Sequence, residues 1–155
     1  MIEERLNIVE IDASILFHGS IAFALVTRAA ERILKGHGLS SGEFSVLLHL
    51  NAHKKEINLS MVKQNTFLLS GASITKVAEK LMHKGYITRR ENPKSRREKL
   101  VKITPAGEKL TAKVLQAYKA QYPKVLRNLS SSAKESLLKD LKIIFNNIMD
   151  LKGKI

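Results

Sequence analysis

Apolar residues recur along the first third of the chain at helical spacing. Ile11, Ile15 and Leu16 are followed by Ile21, Leu25, Ala29 and Ile33, with Phe17, Phe23 and Val26 widening the stripe. Steps of three and four residues keep side chains on one helix face, so a long first helix is predicted from Ile11 to Leu34, ended by Gly36 and Gly38. A helix this apolar must be buried, in the chain's own core or against a partner chain. Ser40 and Glu43 then have capping-box spacing, in which each satisfies the other's free backbone donor. They open a second helix with Phe44, Leu47, Leu48 and Leu50 on its apolar face, and the polar run from Asn51 to Glu56 reads as its exit.

Ile57 to Ser60 suggests a short strand and then a helix cap, with a short third helix from Met61 to Thr66. Ser70 is placed to cap a fourth, whose apolar positions are Ile74, Val77, Ala78 and Leu81; Gly85 closes it. There the period changes from helical to twofold. Tyr86 to Arg90 alternates, Asn92-Pro93-Lys94-Ser95 is a turn cluster, and Leu100 to Thr104 alternates again: a hairpin around a basic loop. Thr104 and Pro105 are cap and first residue of a fifth helix carrying Leu110, Val114, Leu115, Tyr118 and Tyr122. Pro123 is expected to kink that helix or start a new turn. A sixth helix carries Leu137, Leu138, Leu141, Ile144, Phe145, Ile148 and Met149.

Composition adds one strong constraint. The 155 residues carry 27 Lys and Arg against 14 Asp and Glu, a formal charge of +13. Such an excess implies a polyanionic partner, nucleic acid or an anionic membrane surface. Of that charge, +7 lies in the 27 residues from Lys76 to Lys102, and +6 in the region from Ile103 to the end. The basic run crosses several predicted elements, which favours nucleic-acid contact over one solvated helix face. No cysteine is present, so disulfides, thiolate chemistry and thiolate metal sites are excluded. The acidic start, MIEERLNIVEID, is not a signal peptide, and the longest unbroken apolar run, Ile21 to Val26, is too short to span a bilayer. A cytoplasmic protein with no membrane partner is expected.

The order short helix, turn, second helix, basic hairpin is that of a winged helix-turn-helix. A helix fits the major groove and meets base edges with its N-terminal residues. Ser70, Gly71, Ala72 and Ser73 are small enough for close backbone approach, and Thr75 and Lys76 follow on or near the exposed face. The free N–H groups of that helix start also attract a phosphate. A hairpin loop can place arginines in an adjacent minor groove. The expected DNA-contacting set is Lys63, Ser70, Gly71, Ala72, Ser73, Thr75, Lys76, Lys80, Arg89, Arg90, Lys94, Arg96 and Arg97. Within it, Lys94, Arg96 and Arg97 are assigned to the wing tip.

From Leu39 to Leu110 the chain resembles the MarR family of bacterial and archaeal regulators. The resemblance rests on Leu39-Ser40-Ser41-Gly42-Glu43-Phe44, on Ser73-Ile74-Thr75-Lys76, on the run from Leu81 to Arg90, on Arg96-Arg97, and on Val101 to Gly107 with its Thr-Pro-Ala-Gly ending. It implies a mainly α fold with a small β-hairpin wing, and a homodimer built by the first, fifth and sixth helices. The expected organisation is a dimerisation helix at 1–38, a winged helix-turn-helix at 39–105 and dimerisation helices at 106–155. It further implies a pseudo-palindromic double-stranded DNA operator, usually repressed, and in many members release by a small, often phenolic, anionic effector. Two departures stand out. Ser95 replaces an Asp that usually braces the wing from two residues before the key Arg, here Arg97, leaving a wing more mobile or more positive than typical. Thr75-Lys76 replaces the commoner Thr-Arg, which weakens bidentate reading of guanine.

Blander readings hold elsewhere. Lys84, at the helix end, reads as a solvated lysine. Lys63 and Gln64 are surface residues if they do not reach phosphate. His49 and His53 have the i, i+4 spacing of two metal ligands, but no acid or thiolate stands near them in sequence, so no metal is expected. His18 and Arg28 lie on the apolar first helix and read as packing or ion-pair residues, with the lining of an effector pocket as the alternative. The Asn58-Leu59-Ser60 and Asn128-Leu129-Ser130 patterns read as helix caps rather than glycosylation sites. No nucleophile elbow, phosphate-binding glycine loop or cofactor motif is visible, so no enzyme is expected. The competing hypotheses are a sequence-tolerant architectural DNA-binding protein without an effector and, more distantly, an anionic-lipid binder.

Overall fold

The computed structural model describes residues 8–65, 71–93 and 95–152. Nine elements follow in order: α1 (Ile8–Gly36), α2 (Ser41–His53), β1 (Ile57–Asn58), α3 (Leu59–Asn65), α4 (Gly71–His83), β2 (Ile87–Asn92), β3 (Ser95–Ile103), α5 (Pro105–Val125) and α6 (Ser131–Lys152). The fold is mainly helical with a small antiparallel sheet of order β1-β3-β2. Two compact units make up the chain, residues 1–118 and 119–155.

The core of the first unit sits between α2, α3, α4 and the sheet. Val46, Leu47 and Leu50 from α2, Val62 from α3, and Ala78 and Leu81 from α4 are all fully buried, with Ile87, Val101 and Val114 beside them. Each of the larger side chains contributes roughly 1.5–3 kcal/mol relative to exposure. Phe44 also meets Tyr118 edge-on, ring centroids 5.5 Å apart, which ties α5 to α2.

Local chemistry sets the boundaries. Ser40 and Glu43 form the predicted capping box: the Glu43 amide donates to Ser40 Oγ at 3.2 Å, and the Ser40 amide donates to Glu43 Oε2 at 2.7 Å. α1 and α4 end alike. The Leu39 amide reaches back to the Leu34 carbonyl and the Tyr86 amide to the Leu81 carbonyl, with Gly38 (φ 69°) and Gly85 (φ 73°) supplying the left-handed residue that turns the chain. α2 runs to His53, past the expected exit at Asn51, because Lys54 takes the left-handed cap conformation (φ 53°) and donates its amide to Leu50. Asn58 Oδ1 accepts the Ser60 amide at the start of α3, and Ser130 Oγ accepts the Ala133 amide at the start of α6, so both glycosylation patterns act as caps. Pro123 lies inside α5, two residues before its end, where little helix remains to be interrupted.

α1 narrows one expectation and corrects another. Of the two ways to bury its apolar stripe, the chain's own core is not the one used: in the single chain Phe23 is 70% exposed, Leu16 and Phe17 62%, and Leu25 58%. Leu34 alone is fully buried among the described α1 side chains. The expectation that nothing is long enough to cross a membrane also needs correction. Glu10–Gly36 is a 27-residue helix with mean hydropathy of 1.4 over an 18-residue window, sufficient by length and composition alone. The unbroken run Ile21–Val26 is short, but Ala13 to Thr27 contains no Asp, Glu, Lys or Arg, and its Ile, Leu, Phe, Val and Ala residues keep the average high. In α6, Leu137, Leu138, Leu141, Ile143, Phe145, Ile148 and Leu151 are likewise exposed.

Candidate nucleic-acid interface

α3 and α4 form the helix-turn-helix, and β2 with β3 forms the wing. α4 packs Ile74, Ala78 and Leu81 into the core. Helical periodicity then directs Lys76, Glu79, Lys80 and His83 outward, and all four are exposed. Ser73 and Thr75 flank that face and are half-buried. Gly71 and Ala72 form the first turn of α4, Lys63 lies on α3, and Arg96 and Arg97 lie on β3. Ser70 and Lys94 lie outside the described residues.

The strands run further toward the wing tip than the sequence suggested, and Arg96-Arg97 belong to β3 rather than to the connecting loop. Their pairing is irregular. The register passes from Glu91 opposite Lys99 directly to Asn92 opposite Ser95, leaving Arg96, Arg97 and Glu98 without residues facing them on β2. An irregularity of this kind bends the strand locally. The wing is braced without the Asp that Ser95 replaces. Asn92 Nδ2 donates to Glu98 Oε2 at 2.7 Å, and Lys99 Nζ lies 2.6 Å from Glu91 Oε1. The second contact holds the Glu91 carboxyl below its ordinary pKa.

Arg89 and Arg90 point into different company. Arg89 stands 3.8 Å from Glu79 of α4, so the outward face of the recognition helix carries an acid that the wing strand offsets. Arg90 makes a two-pronged pair with Glu56, just before β1: Nε donates to Oε1 at 2.8 Å and Nη2 to Oε2. The hydrogen bond from Arg90 holds Glu56 below the usual carboxylate range, with Lys102 adding to it. Arg90 thus ties β2 to the lead-in of β1. Sequence reasoning missed both acids, because pairs 10 and 34 residues apart leave no periodic signal.

Lys84 keeps the exposure that its place at the helix end suggests, with 38% of its side chain accessible, but its ammonium is not free. Its Nζ lies 2.6 Å from Glu43 Oε1 and donates to the Gly38 carbonyl at 2.9 Å. Burial pushes Glu43 up, but hydrogen bonds from Lys84 and Ser40 outweigh it and leave the carboxyl below its ordinary value. The imidazoles of His49 and His53 lie with centroids 4.7 Å apart, and His49 Nε2 is buried without a hydrogen-bond partner. Among the described residues no group of three or more His, Asp or Glu is placed to hold a metal ion.

The arrangement can set a helix with two outward lysines into a groove while a basic, bulged hairpin reaches a neighbouring one. Known proteins share the fold. The sequence model of the transcriptional regulator SarA/Rot family matches residues 28–114, from the second half of α1 through the wing into α5. The HTH-type transcriptional regulator MhqR of Bacillus subtilis (strain 168) is 29% identical over 135 residues, 87% of this chain and 92% of that protein. The HTH-type transcriptional repressor YetL of the same organism is 26% identical over 125 residues, 79% and 73% of the two chains. The crystal structure of a MarR-family transcriptional regulator from Rhodococcus sp. RHA1 superposes with a TM-score of 0.74 at 22% identity, covering 86% of this chain and 93% of that one. At that identity the likeness is one of fold.

Proposed function

Because the chain belongs to the SarA/Rot family of transcriptional regulators and carries the winged helix-turn-helix of MarR-type regulators, we propose that it acts as a homodimeric, sequence-specific repressor, released from a pseudo-palindromic operator by a small-molecule effector, phenolic or anionic. The family and fold are those of transcription regulators, not of enzymes.

The observation that carries the dimer is α1. A row of large apolar side chains, from Ile11 to Val26, is exposed in the single chain. Surface of that kind on a protein with a complete core elsewhere marks an interaction site. A second copy covers it, with residues 1–38 and 106–155 as the dimerising parts and 39–105 as the DNA-binding part. Covering α1 in this way removes the need for a bilayer, and the protein works in the cytoplasm, where its operator is. Two recognition helices related by a twofold axis then meet half-sites about one helical turn apart, roughly 34 Å.

Contact with the duplex is divided. Lys76 and Lys80 face the groove with Ser73 and Thr75 beside them, Ser70 to Ala72 and Lys63 meet phosphates near the helix start, and Lys94, Arg96 and Arg97 enter the minor groove. Arg89 and Arg90 act mostly through Glu79 and Glu56. The relative YetL is a transcriptional repressor, which supports the same action here. Support for an effector comes from a cleft of about 360 Å³ at the joint of α1 and α2, lined by Leu34, Leu39, Lys35, Ser40, Ser41, Gly42 and Glu31. Its size, leucines and hydroxyls suit a small aromatic ligand, and its one ammonium, Lys35, is matched by one carboxylate, Glu31.

Selection of bound duplexes from a random library tests the proposal. The expected result is one sequence with two inverted half-sites about ten base pairs apart. Recovery of unrelated sequences at equal strength points instead to the architectural role, which the +6 beyond residue 102 would serve.

A further inference from the structure

Lys76, Lys80 and Lys84 follow one another at four-residue steps, but they have different surroundings. Lys76 and Lys80 are exposed opposite the buried face of α4. Lys84, one residue past the end of α4, turns back onto Glu43 Oε1 at 2.6 Å and the Gly38 carbonyl at 2.9 Å. Glu43 is only 4% exposed, and its second oxygen accepts the Ser40 amide at 2.7 Å. One carboxylate therefore closes the cap of α2 and receives the end of α4. Gly38 is the left-handed residue that turns the chain out of α1. The end of α1, the start of α2 and the end of α4 all converge on a single ammonium group.

Building on the regulator reading above, we propose that Lys84 is a positioning residue for DNA recognition: by joining Glu43 and Gly38 it fixes the tilt of α4 against the α1–α2 joint, without itself touching DNA. The lever arm makes this consequential. α4 has 13 residues, so it is about 20 Å long at 1.5 Å per residue. A tilt of about 5° at its C-terminal end displaces the first turn by roughly 1.7 Å, more than the few tenths of an ångström that separate a good hydrogen bond from a poor one. The contact is not easily given up, because releasing Lys84 leaves a buried carboxylate without its cation. Since α1 is the dimerising helix in the reading above, the same contact sets the separation of the two recognition helices.

The test uses the full-length protein, the duplex recovered by selection, and versions of it with the half-sites moved one base pair closer or further apart. Affinities are measured by fluorescence anisotropy over a range of salt for wild type, Lys84→Met, Lys84→Arg and Glu43→Gln. Lys84→Met and Glu43→Gln are each expected to weaken operator binding about tenfold and to flatten the preference among spacings. The slope of log K against log salt stays at its wild-type value, and Lys84→Arg restores both affinity and preference. If Lys84→Met instead lowers the slope by about one while Glu43→Gln binds normally, Lys84 is a phosphate contact and the positioning role is overturned. Wild-type behaviour in both variants overturns it equally. Should Glu43→Gln lose its helical circular dichroism, the Lys84→Met and Lys84→Arg pair decides alone. A wild-type protein that binds no duplex overturns the regulator reading itself, a different failure from the preceding two.

Discussion

Gly107 lies directly beneath the carbonyl oxygen of Tyr86, so close that a Cβ would collide with it and would also come within 2.8 Å of Ile103 Cγ1. The same oxygen accepts the Thr104 amide at 3.0 Å. Thr104 Oγ1 donates to the Gly85 carbonyl at 2.8 Å and accepts the Gly107 amide at 3.1 Å. The Thr-Pro-Ala-Gly run is thus a weld between the wing base and the start of α5. Gly107→Ala is expected to destabilise the fold by about 1–3 kcal/mol through overpacking. Urea unfolding checks this, with a lowered midpoint and an unchanged m-value.

Acid stability should carry the signature of Glu43. Its folded pKa lies below the ordinary 4.5. The stability it contributes is therefore complete above the unfolded value and lost as pH falls through the folded one. Glu43→Gln removes that contribution, so its urea midpoint should fall less than that of wild type between about pH 5 and pH 3. Glu56 and Glu91 shift the same way, but they are solvent-screened and add little. Parallel curves for the two proteins would contradict the assignment.

A second pH dependence lies higher. Burial, and then the charge of His53, push the His49 imidazole below its ordinary 6.5. The folded state therefore binds fewer protons than the unfolded one, and stability is highest above about pH 6.5 and declines below it. His53→Gln removes the neighbouring charge. It should shallow that decline, as read from thermal midpoints between about pH 5.5 and 7.5.

The 3.8 Å contact between Arg89 and Glu79 predicts an unusual pattern of variants. Arg89→Ala should weaken DNA binding several-fold by leaving Glu79 unopposed before the phosphates. The double variant with Glu79→Gln should recover part of the loss, and Glu79→Gln alone should bind at least as tightly as wild type. A double-mutant cycle by anisotropy measures the coupling. Simple additivity would return Arg89 to direct phosphate contact.

What the sequence made legible was local or periodic. The helical stripes of α1, α2 and α4, the Ser40–Glu43 box, the Gly85 stop and the switch to twofold alternation at Tyr86 are each written within a few neighbouring residues. The apolar face of α1 was legible as well, but not what covers it, since a pattern of leucines and isoleucines is the same for an internal core and a partner chain. The ion pairs were hidden for the opposite reason. Lys84 with Glu43, 41 residues apart, and Arg90 with Glu56, 34 apart, are brought together only by the packed core. In a basic stretch any cation looks free until its acid is found. The bulge at Arg96 to Glu98 was equally illegible, because a strand pattern fixes alternation but not register.

The central claim is that the α4 face and the wing read a defined duplex. The most direct measurement is anisotropy titration of the full-length protein, wild type and Arg97→Ala, on the selected operator and a scrambled duplex across a range of salt. Wild type is expected to prefer the operator by about a thousandfold or more, with affinity falling steeply with salt. Arg97→Ala should bind more weakly, with the slope reduced by about one and the fold intact by circular dichroism. Equal affinity for operator and scrambled duplex, or an Arg97→Ala variant indistinguishable from wild type, would contradict the account.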